Sequence, residues 1–223
     1  MSHPLSSLEY QPDILGEGYE QAPLEFPPDT EGTVVATLVR KKADQPTSKA
    51  VLYIHGFIDY FFQTEMAERF NQQGFDFYAL DLRKYGRSYM SHQKFYNVYH
   101  LSEYDAEISQ ALEIIGQEGH DTVLLSGHST GGLITTLYAA HHPDHPLIKG
   151  LWLNSPFYDF NMTPFEKKFV VPKLSRLGKR FPEMLFPSRS NGKDRHARFR
   201  QALKRKGYDG KQTLHGFRHI AST

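Results

Sequence analysis

The sequence predicts an α/β fold in which a parallel, doubly wound sheet is covered by helices on both faces. Three observations lead to this prediction. Short apolar runs alternate with segments of helical period, the runs are too apolar to leave one face of a sheet in water, and the composition is that of a folded protein. The chain has 223 residues, of which 39% are hydrophobic, 13% aromatic and 23% charged. Disorder throughout is therefore excluded.

The predicted elements begin after a lead-in of 30 residues that is rich in Pro and Glu and shows no clear period. Glycines at 74 and 116 end two of the helices, and Ser102 with Asp105 resembles a capping box. From residue 50 onward, strands and helices alternate, as in βαβ units. Strands are predicted at 33–39, 50–54, 75–80, 122–126 and 150–153, and helices at 65–73, 102–116 and 133–140.

The net charge of +1 hides a strong asymmetry along the chain. Residues 1–166 contain 10 Lys and Arg against 22 Asp and Glu, a net charge of −12, whereas residues 167–223 contain 16 against 3, a net charge of +13. This break indicates two pieces. A single domain with a solvated basic tail explains the charge alone equally well.

The composition also limits the chemistry. Cysteine is absent, which excludes a disulfide framework, thiolate metal sites and a cysteine nucleophile, so covalent catalysis would use a hydroxyl or an amine. No P-loop or G-x-G-x-x-G motif occurs, and we expect no cofactor. The segment 141–145 has metal-ligand residue types, but Pro143 breaks the helix, so we expect no metal either.

Two features of the sequence concern the location of the protein. No apolar run approaches the roughly 20 residues that a membrane-spanning helix needs. The first ten residues, MSHPLSSLEY, lack the basic and apolar regions of a signal peptide. We therefore expect a cytoplasmic protein without a membrane span.

The strongest chemical signal is the G-x-S-x-G pattern of residues 127–131, GHSTG, between a predicted strand and a predicted helix. A serine on such a strained turn is exposed for attack, and glycines on both sides let the backbone turn without a clash. The sequence therefore predicts Ser129 as a nucleophile. A chance glycine-rich turn is the alternative interpretation.

A second signal, His55-Gly56-Phe57, directly follows the apolar strand 50–54. Here a glycine lets the loop approach the serine, and the backbone N–H groups of Phe57 and Thr130 could then form an oxyanion hole. His55 precedes the turn and is expected to be structural rather than a general base. A plain turn at the end of a strand is the alternative.

Four motifs, YIHGF, ALDLRKYGRS, LLSGHSTGG and LWLNSPFYDF, occur in the order typical of one family. Over about residues 31–185 the chain resembles the α/β-hydrolase family, in its monoacylglycerol-lipase-like and serine-aminopeptidase-like branch. The resemblance implies a serine hydrolase with Ser129 as nucleophile and Phe57 and Thr130 as oxyanion donors. It also implies a small-molecule substrate that is a carboxylic ester, such as a monoacylglycerol or a lysophospholipid.

The resemblance places an acid and a histidine after the cap segment, and this sequence departs from that pattern. Asp159 is the candidate acid, because some relatives use that position, although a loop-capping role is the alternative. No histidine has the expected context. The hydrolase fold is therefore expected to be truncated after the start of the cap, and its turnover to be impaired.

Residues 186–223 are similar to part of the catalytic domain of phage-type tyrosine recombinases, or integrases. The similarity lies in LFPSR, ALKRKGYDGKQT and HGFRHIAST, where His215 and Arg218 match an H-x-x-R motif that contacts phosphate. We therefore expect a truncated hydrolase domain over 1–185 and a basic integrase-like tail over 186–223. The alternative function is a non-catalytic fusion remnant that binds nucleic acid through this tail, and an accidental match in a basic segment is the third possibility.

Overall fold

The computed structural model describes residues 8–159, 163, 168, 169, 172 and 173. The chain divides after Tyr158 into two units, and all of the strands described below belong to the first. Seven strands form one sheet in the order β1-β2-β3-β5-β4-β6-β7. The strands are β1 Gln11–Pro12, β2 Tyr19–Asp29, β3 Gly32–Lys41, β4 Lys49–Ile54, β5 Asp76–Asp81, β6 Thr122–His128 and β7 Ile148–Asn154, and the helices are α1 Thr64–Gln72, α2 Asp105–Gln117 and α3 Thr130–His141.

The predicted α/β class and the parallel sheet are confirmed for the second half of the sheet. Strands β5, β4, β6 and β7 pair with one another in parallel. Strands β1, β2 and β3 pair antiparallel, and β3 joins the parallel half through an antiparallel ladder with β5. The sheet is therefore mixed rather than parallel throughout. The predicted boundary between residues 185 and 186 lies outside the described residues and stays a prediction.

The prediction of an irregular lead-in is wrong, because β2 is a strand of 11 residues. Ala22, Leu24 and Phe26 turn toward the core and alternate with the exposed positions 23, 25 and 27. Prolines at 23, 27 and 28 hid this alternation, since proline cannot donate to a sheet ladder. Strand β1 reaches only the first residues of β2, so most of β2 is a sheet edge among the described residues, where proline is tolerated.

The apolar core has two parts, one on each face of the sheet. Alternating side chains of β4 and β5 point to opposite faces, as the period of a strand requires. Helices α2 and α3 cover one face and α1 covers the other, which is the doubly wound arrangement. One part includes Leu52, Ile54, Leu80, Ile108, Leu112 and Tyr138, and the other includes Val51, Tyr53, Phe77, Ala67 and Phe70.

The connections diverge at β4. From β4 the chain passes through α1 to β5 on one side, and then through α2 to β6 on the other side of β4. In sheets of this kind a crevice opens where neighbouring strands send their connections in opposite directions. Residues 55–57 follow β4 and Ser129 follows β6, so both predicted motifs lie at this crevice.

The three helices agree with the predictions to within a few residues, but the cap of α2 does not. A 3₁₀ turn, Leu101–Tyr104, precedes α2, and the carboxylate of Glu103 accepts the N–H groups of Tyr99 and His100 at 2.7 and 2.9 Å. The predicted Ser102–Asp105 box is therefore wrong, because the longer Glu103 side chain reaches back to the free donors. None of the helices in the described part of the chain combines the length and apolar character that a membrane crossing requires.

A buried ion network joins the β1 region to the end of β5. The Arg87 guanidinium contacts Asp13 at 2.7 and 2.8 Å and Asp81 at 2.8 Å, and both carboxylates are fully buried. Burial alone would lower the pKa of Arg87, but the two carboxylates outweigh it and raise this pKa. Asp81 also accepts the N–H of Phe61 at 2.9 Å. The network therefore fixes the loop that follows β4.

We expect Arg87→Leu to lower the free energy of unfolding by about 3–5 kcal/mol, because two buried carboxylates would lose their counter-ion. Urea unfolding followed by circular dichroism measures the change. Glu68→Gln is the control. Glu68 is half exposed and its contact with Lys41 is long, at 3.8 Å, so the loss of this ion pair should cost about 1 kcal/mol at most. Equal losses in the two variants would contradict the prediction.

A second buried pair lies at the opposite end of the sheet. The two ring nitrogens of His120 face the Ile115 carbonyl and the Asp76 carboxylate, each at 3.0 Å, so both nitrogens donate when the ring is protonated. Burial alone would lower the pKa of His120, but these hydrogen bonds outweigh it and raise this pKa above 6.5. Burial alone would raise the pKa of Asp76, and the His120 hydrogen bond outweighs it and lowers this pKa.

We expect the His120 contribution to stability to be complete below about pH 6.5 and to be lost as the pH rises through the folded-state pKa. The Asp76 contribution is lost instead as the pH falls below about 3.9. The difference in unfolding free energy between the natural chain and His120→Gln should therefore be larger at pH 5.5 than at pH 8.5. His92→Gln, at an exposed histidine, controls for the loss of an imidazole. An equal difference at both pH values would refute this.

Candidate active site

Ser129 occupies a strained turn between a strand and a helix. It directly follows β6 and precedes the first residue of α3, Thr130, as the sequence predicts. Its φ is +52° and its ψ is −117°. Such a conformation costs a non-glycine residue on the order of 1–3 kcal/mol and persists only where the surroundings enforce it. The strand-to-helix context of the predicted elbow is therefore confirmed.

Three glycines around Ser129 allow the turn to pack against the sheet. A Cβ atom on Gly131 would collide with the carbonyl oxygens of Ile54 and His55, and one on Gly127 would collide with the carbonyl of Gly131. A Cβ atom on Gly132 would lie 2.7 Å from the Pro156 side chain. The first two contacts involve rigid backbone, so no other residue type fits there without a displacement of the strand or the helix.

The turn is also tied to the segment after β7. The Ser129 N–H donates to the Asn154 carbonyl at 3.1 Å, and the Ser129 carbonyl accepts the N–H groups of Gly132 and Phe157 at 3.0 and 2.9 Å. His128 adds a ring contact, because its Nδ1 lies 3.1 Å from the same Asn154 carbonyl. These bonds hold the backbone of the elbow from both sides.

The loop after β4 lies against Ser129. A Cβ atom built on Gly56 would lie 3.3 Å from the Cβ of Ser129 and 3.3 Å from the His128 ring. The next residue, Phe57, exposes 57% of its surface and meets the ring of Tyr96 edge-on at 5.5 Å. Ile58 has a φ of +54° and exposes 48%. The predicted approach of this loop to the serine is therefore present.

Among the described residues, two backbone N–H groups near the Ser129 turn have no acceptor. Within residues 8–159 the Phe57 N–H makes no hydrogen bond. Thr130 is the first residue of α3, where an N–H has no partner within its own helix. The N-terminal end of α3 also carries the positive end of the helix dipole. The two N–H groups are thus available to a negatively charged oxygen near Ser129.

His55 is engaged in structure and not in proton transfer. Its Nε2 lies 3.1 Å from the Leu82 N–H and accepts from it, so the neutral ring carries its proton on Nδ1, which donates to the Gly56 carbonyl at 2.8 Å. The ring is buried and packs against Tyr85 at 4.7 Å. In the described part of the chain, no histidine forms a hydrogen bond with the Ser129 hydroxyl.

The remaining predicted residues have different outcomes. Asp159 is exposed and begins the second unit, so its role as an acid stays a prediction. His215 and Arg218 lie outside the described residues. In the 141–145 segment, His141 bonds to Asp105 at 2.7 Å, and no group of described residues is arranged to hold a metal ion.

Asp59 is a functional candidate that the sequence did not reveal. Its Oδ2 accepts the Gly56 N–H at 3.4 Å, next to Ser129. Burial raises the pKa of Asp59, while His55, the Tyr60 and Gly56 N–H groups and His128 partly oppose this. The available signal was an aspartate three residues after the glycine, since aspartate side chains often bond to nearby backbone in turns.

Comparisons with known proteins agree with this fold. A mouse (Mus musculus) protein, epoxide hydrolase 4, is 30% identical over 61% of this chain and 38% of its own length. The crystal structure of Paleococcus ferrophilus monoacylglycerol lipase is 28% identical, with a TM-score of 0.50 over 66% of this chain and 53% of the lipase. A soluble variant of Saccharomyces cerevisiae monoglyceride lipase is 18% identical, with a TM-score of 0.53 over 81% of this chain and 56% of the lipase.

The fold is that of the α/β-hydrolases. A family model described as serine aminopeptidase, S33, matches residues 45–220, and the chain belongs to this family. The chain spans less than two thirds of the length of each relative named above. The family match crosses the expected junction near residue 185 and continues through most of the basic segment. It gives no support to a recombinase origin of that segment.

We expect Gly131→Ala to lower the free energy of unfolding by about 1–3 kcal/mol, because its Cβ would displace the backbone of β4 or α3. Gly150→Ala is the matched control, since a Cβ there meets only a Leu124 methyl at an ordinary 3.4 Å. Thermal and urea unfolding of both variants provide the comparison. A Gly131→Ala protein as stable as Gly150→Ala would mean that the close approach at the elbow is not a constraint.

Proposed function

We propose that the protein is a serine hydrolase of carboxylic esters and that Ser129 is its nucleophile. The observation that carries the proposal is the strained Ser129 turn with two N–H groups beside it, those of Phe57 and Thr130, that have no other acceptor among the described residues. Strain of this kind is found at sites where a side chain must be presented to a substrate. Free N–H groups at the same point suit an oxygen that becomes negative during the reaction.

The proposed reaction has two steps. The Ser129 hydroxyl oxygen attacks the ester carbonyl carbon, its proton passes to a general base, and the carbonyl oxygen becomes an oxyanion that accepts the Phe57 and Thr130 N–H groups. The alcohol leaves with that proton, and water then releases the acid from the acyl-serine. No described histidine hydrogen bonds to the Ser129 hydroxyl, so the base stays unassigned, and Asp159 remains the candidate for the acid that orients it.

We further propose a monoacylglycerol-type ester as the substrate, with a lysophospholipid as a related possibility. The exposed side chains of Phe57 and Ile58 next to the free N–H groups suit an acyl chain. The 28% identity to a monoacylglycerol lipase, over 66% of this chain, supports the same class. The proposal therefore involves a small-molecule partner, and the cytoplasmic location expected from the sequence stays a prediction.

Covalent labelling tests the nucleophile. A fluorescent fluorophosphonate should label the natural chain and not Ser129→Ala, because the probe reacts with a serine whose oxyanion site is formed. Ser102→Ala, at an exposed serine that does not belong to the turn, is the control and should label like the natural chain. Equal labelling of Ser129→Ala would assign the reaction to another residue.

Turnover tests a separate expectation, that of impaired activity. The sequence predicts hydrolysis of short p-nitrophenyl esters only slightly above background, because no histidine has the expected context. A turnover of about 10 s⁻¹, which is ordinary for an enzyme, would contradict this and leave the Ser129 assignment intact. In that case His215→Ala, His219→Ala and Asp159→Asn would identify the residues that complete the site.

A further inference from the structure

The loop that approaches Ser129 contains a carboxyl group, that of Asp59, which bonds to the backbone of the same loop. Asp59 is half-buried, and its Oδ2 accepts the N–H of Gly56 at 3.4 Å, which closes a tight turn over the exposed residues Phe57 and Ile58. The N–H of Tyr60 also hydrogen bonds to this carboxyl. Ile58 within the turn has a left-handed φ of +54°, a conformation that an isoleucine adopts only when other bonds enforce it.

The turn determines where the Phe57 N–H is located. On its N-terminal side, Gly56 lies so close to Ser129 that an added Cβ would come within 3.3 Å of the serine Cβ. On its C-terminal side, the Phe61 N–H is bound to the buried Asp81. Between these two anchors, the side chain of Asp59 supplies the bond that folds the segment back on itself.

We propose that Asp59 is the positioning residue of the loop 55–60, and that its hydrogen bonds to the backbone, rather than its charge, hold the Phe57 N–H beside Ser129. This inference rests on the proposed function. It deepens that function by assigning to Asp59 the positioning of the Phe57 N–H, which Asp59 achieves through the loop backbone and not by contact with the substrate.

The position of Asp59 beside the proposed oxyanion site favours a role for its hydrogen bonds over one for its charge. The titratable groups that face the carboxyl are His55, His128, Tyr53 and Tyr96. A negative charge at this place would also repel the oxyanion that the neighbouring N–H groups are proposed to bind. A neutral group with the same acceptor oxygen would keep the turn without that repulsion.

We therefore expect asparagine and alanine at position 59 to have different effects on the loop. Asp59→Asn keeps an oxygen that accepts the Gly56 N–H, whereas Asp59→Ala removes it. A displacement of about 1 Å in a catalytic group can lower a rate by about 100-fold, so the loss of the turn should be easy to detect. Asp121→Ala, at an exposed aspartate before β6 and thus at the other end of the strand from Ser129, is the control.

The experiment uses the full 223-residue chain and two independent measurements. Hydrogen–deuterium exchange, read by mass spectrometry on the peptide that contains residues 55–62, reports the turn without any need for activity. Inactivation by a fluorophosphonate, analysed as a maximal rate and a half-saturating concentration, reports the oxyanion site. If Asp59→Ala does not fold, as judged by circular dichroism, Asp59→Leu, which also has no acceptor oxygen, replaces it.

We expect Asp59→Ala to exchange at least tenfold faster in this peptide and to lose about 10- to 100-fold in maximal inactivation rate, with little change in half-saturation. Asp59→Asn should exchange like the natural chain and be inactivated at least as fast, and Asp121→Ala should match the natural chain in both measurements. Unchanged exchange in Asp59→Ala would overturn the proposal, as would an Asp59→Asn variant that behaves like Asp59→Ala. If the natural chain is not inactivated at all, the proposed function fails, and the exchange measurement still decides whether Asp59 holds the loop.

Discussion

The structure around Ser129 depends on a contact between backbone and backbone. The turn after β6 presses against the end of β4 so closely that a single added carbon on Gly131 would overlap two carbonyl oxygens of β4 and its following residue. Side chains can adjust to crowding by changing rotamer, but hydrogen-bonded backbone in a central parallel strand cannot. The glycines of the elbow are therefore requirements of packing, and the left-handed φ of Ser129 follows from them, because the chain must leave β6 and enter α3 in a single residue.

The close contact between the turn after β6 and the end of β4 also couples the two loops that line the crevice, those that follow β4 and β6. Because β4 and β6 are adjacent, whatever holds the loop after β4 also sets the space above Ser129. Two groups of polar interactions hold that loop from below: the His55 ring between Leu82 and Gly56, and the Asp81 carboxylate between Phe61 and Arg87. Both are buried, where unpaired polar groups are costly, so each interaction favours one arrangement of the loop strongly over its alternatives.

Sequence analysis predicted the parts of this fold whose cause is local. The strands from 50 onward, the three helices and the Ser129 turn were recognised because the hydrophobic period, the glycine positions and the strand lengths can be read from neighbouring residues. Strand β2 was missed because its prolines disguise an alternation that only a sheet edge permits. Asp59 was missed for another reason. Its importance comes from Gly56 lying against Ser129, a contact between residues more than 70 positions apart that no local pattern records.

The proposed chemistry also has two halves, one that depends on local backbone structure and one that depends on long-range packing. The proposed oxyanion donors are backbone groups of two short turns, and the backbone of one of these turns positions the proposed nucleophile, so the first unit can form both once its sheet is folded. A general base and its acid are side chains that must reach Ser129 from other parts of the chain, and their placement depends on long-range packing. The described residues include the proposed first half, and no histidine among them hydrogen bonds to the Ser129 hydroxyl. Under the proposed function, an oxyanion can therefore be bound by the first half alone, whereas removal of the Ser129 proton, and with it turnover, requires the second.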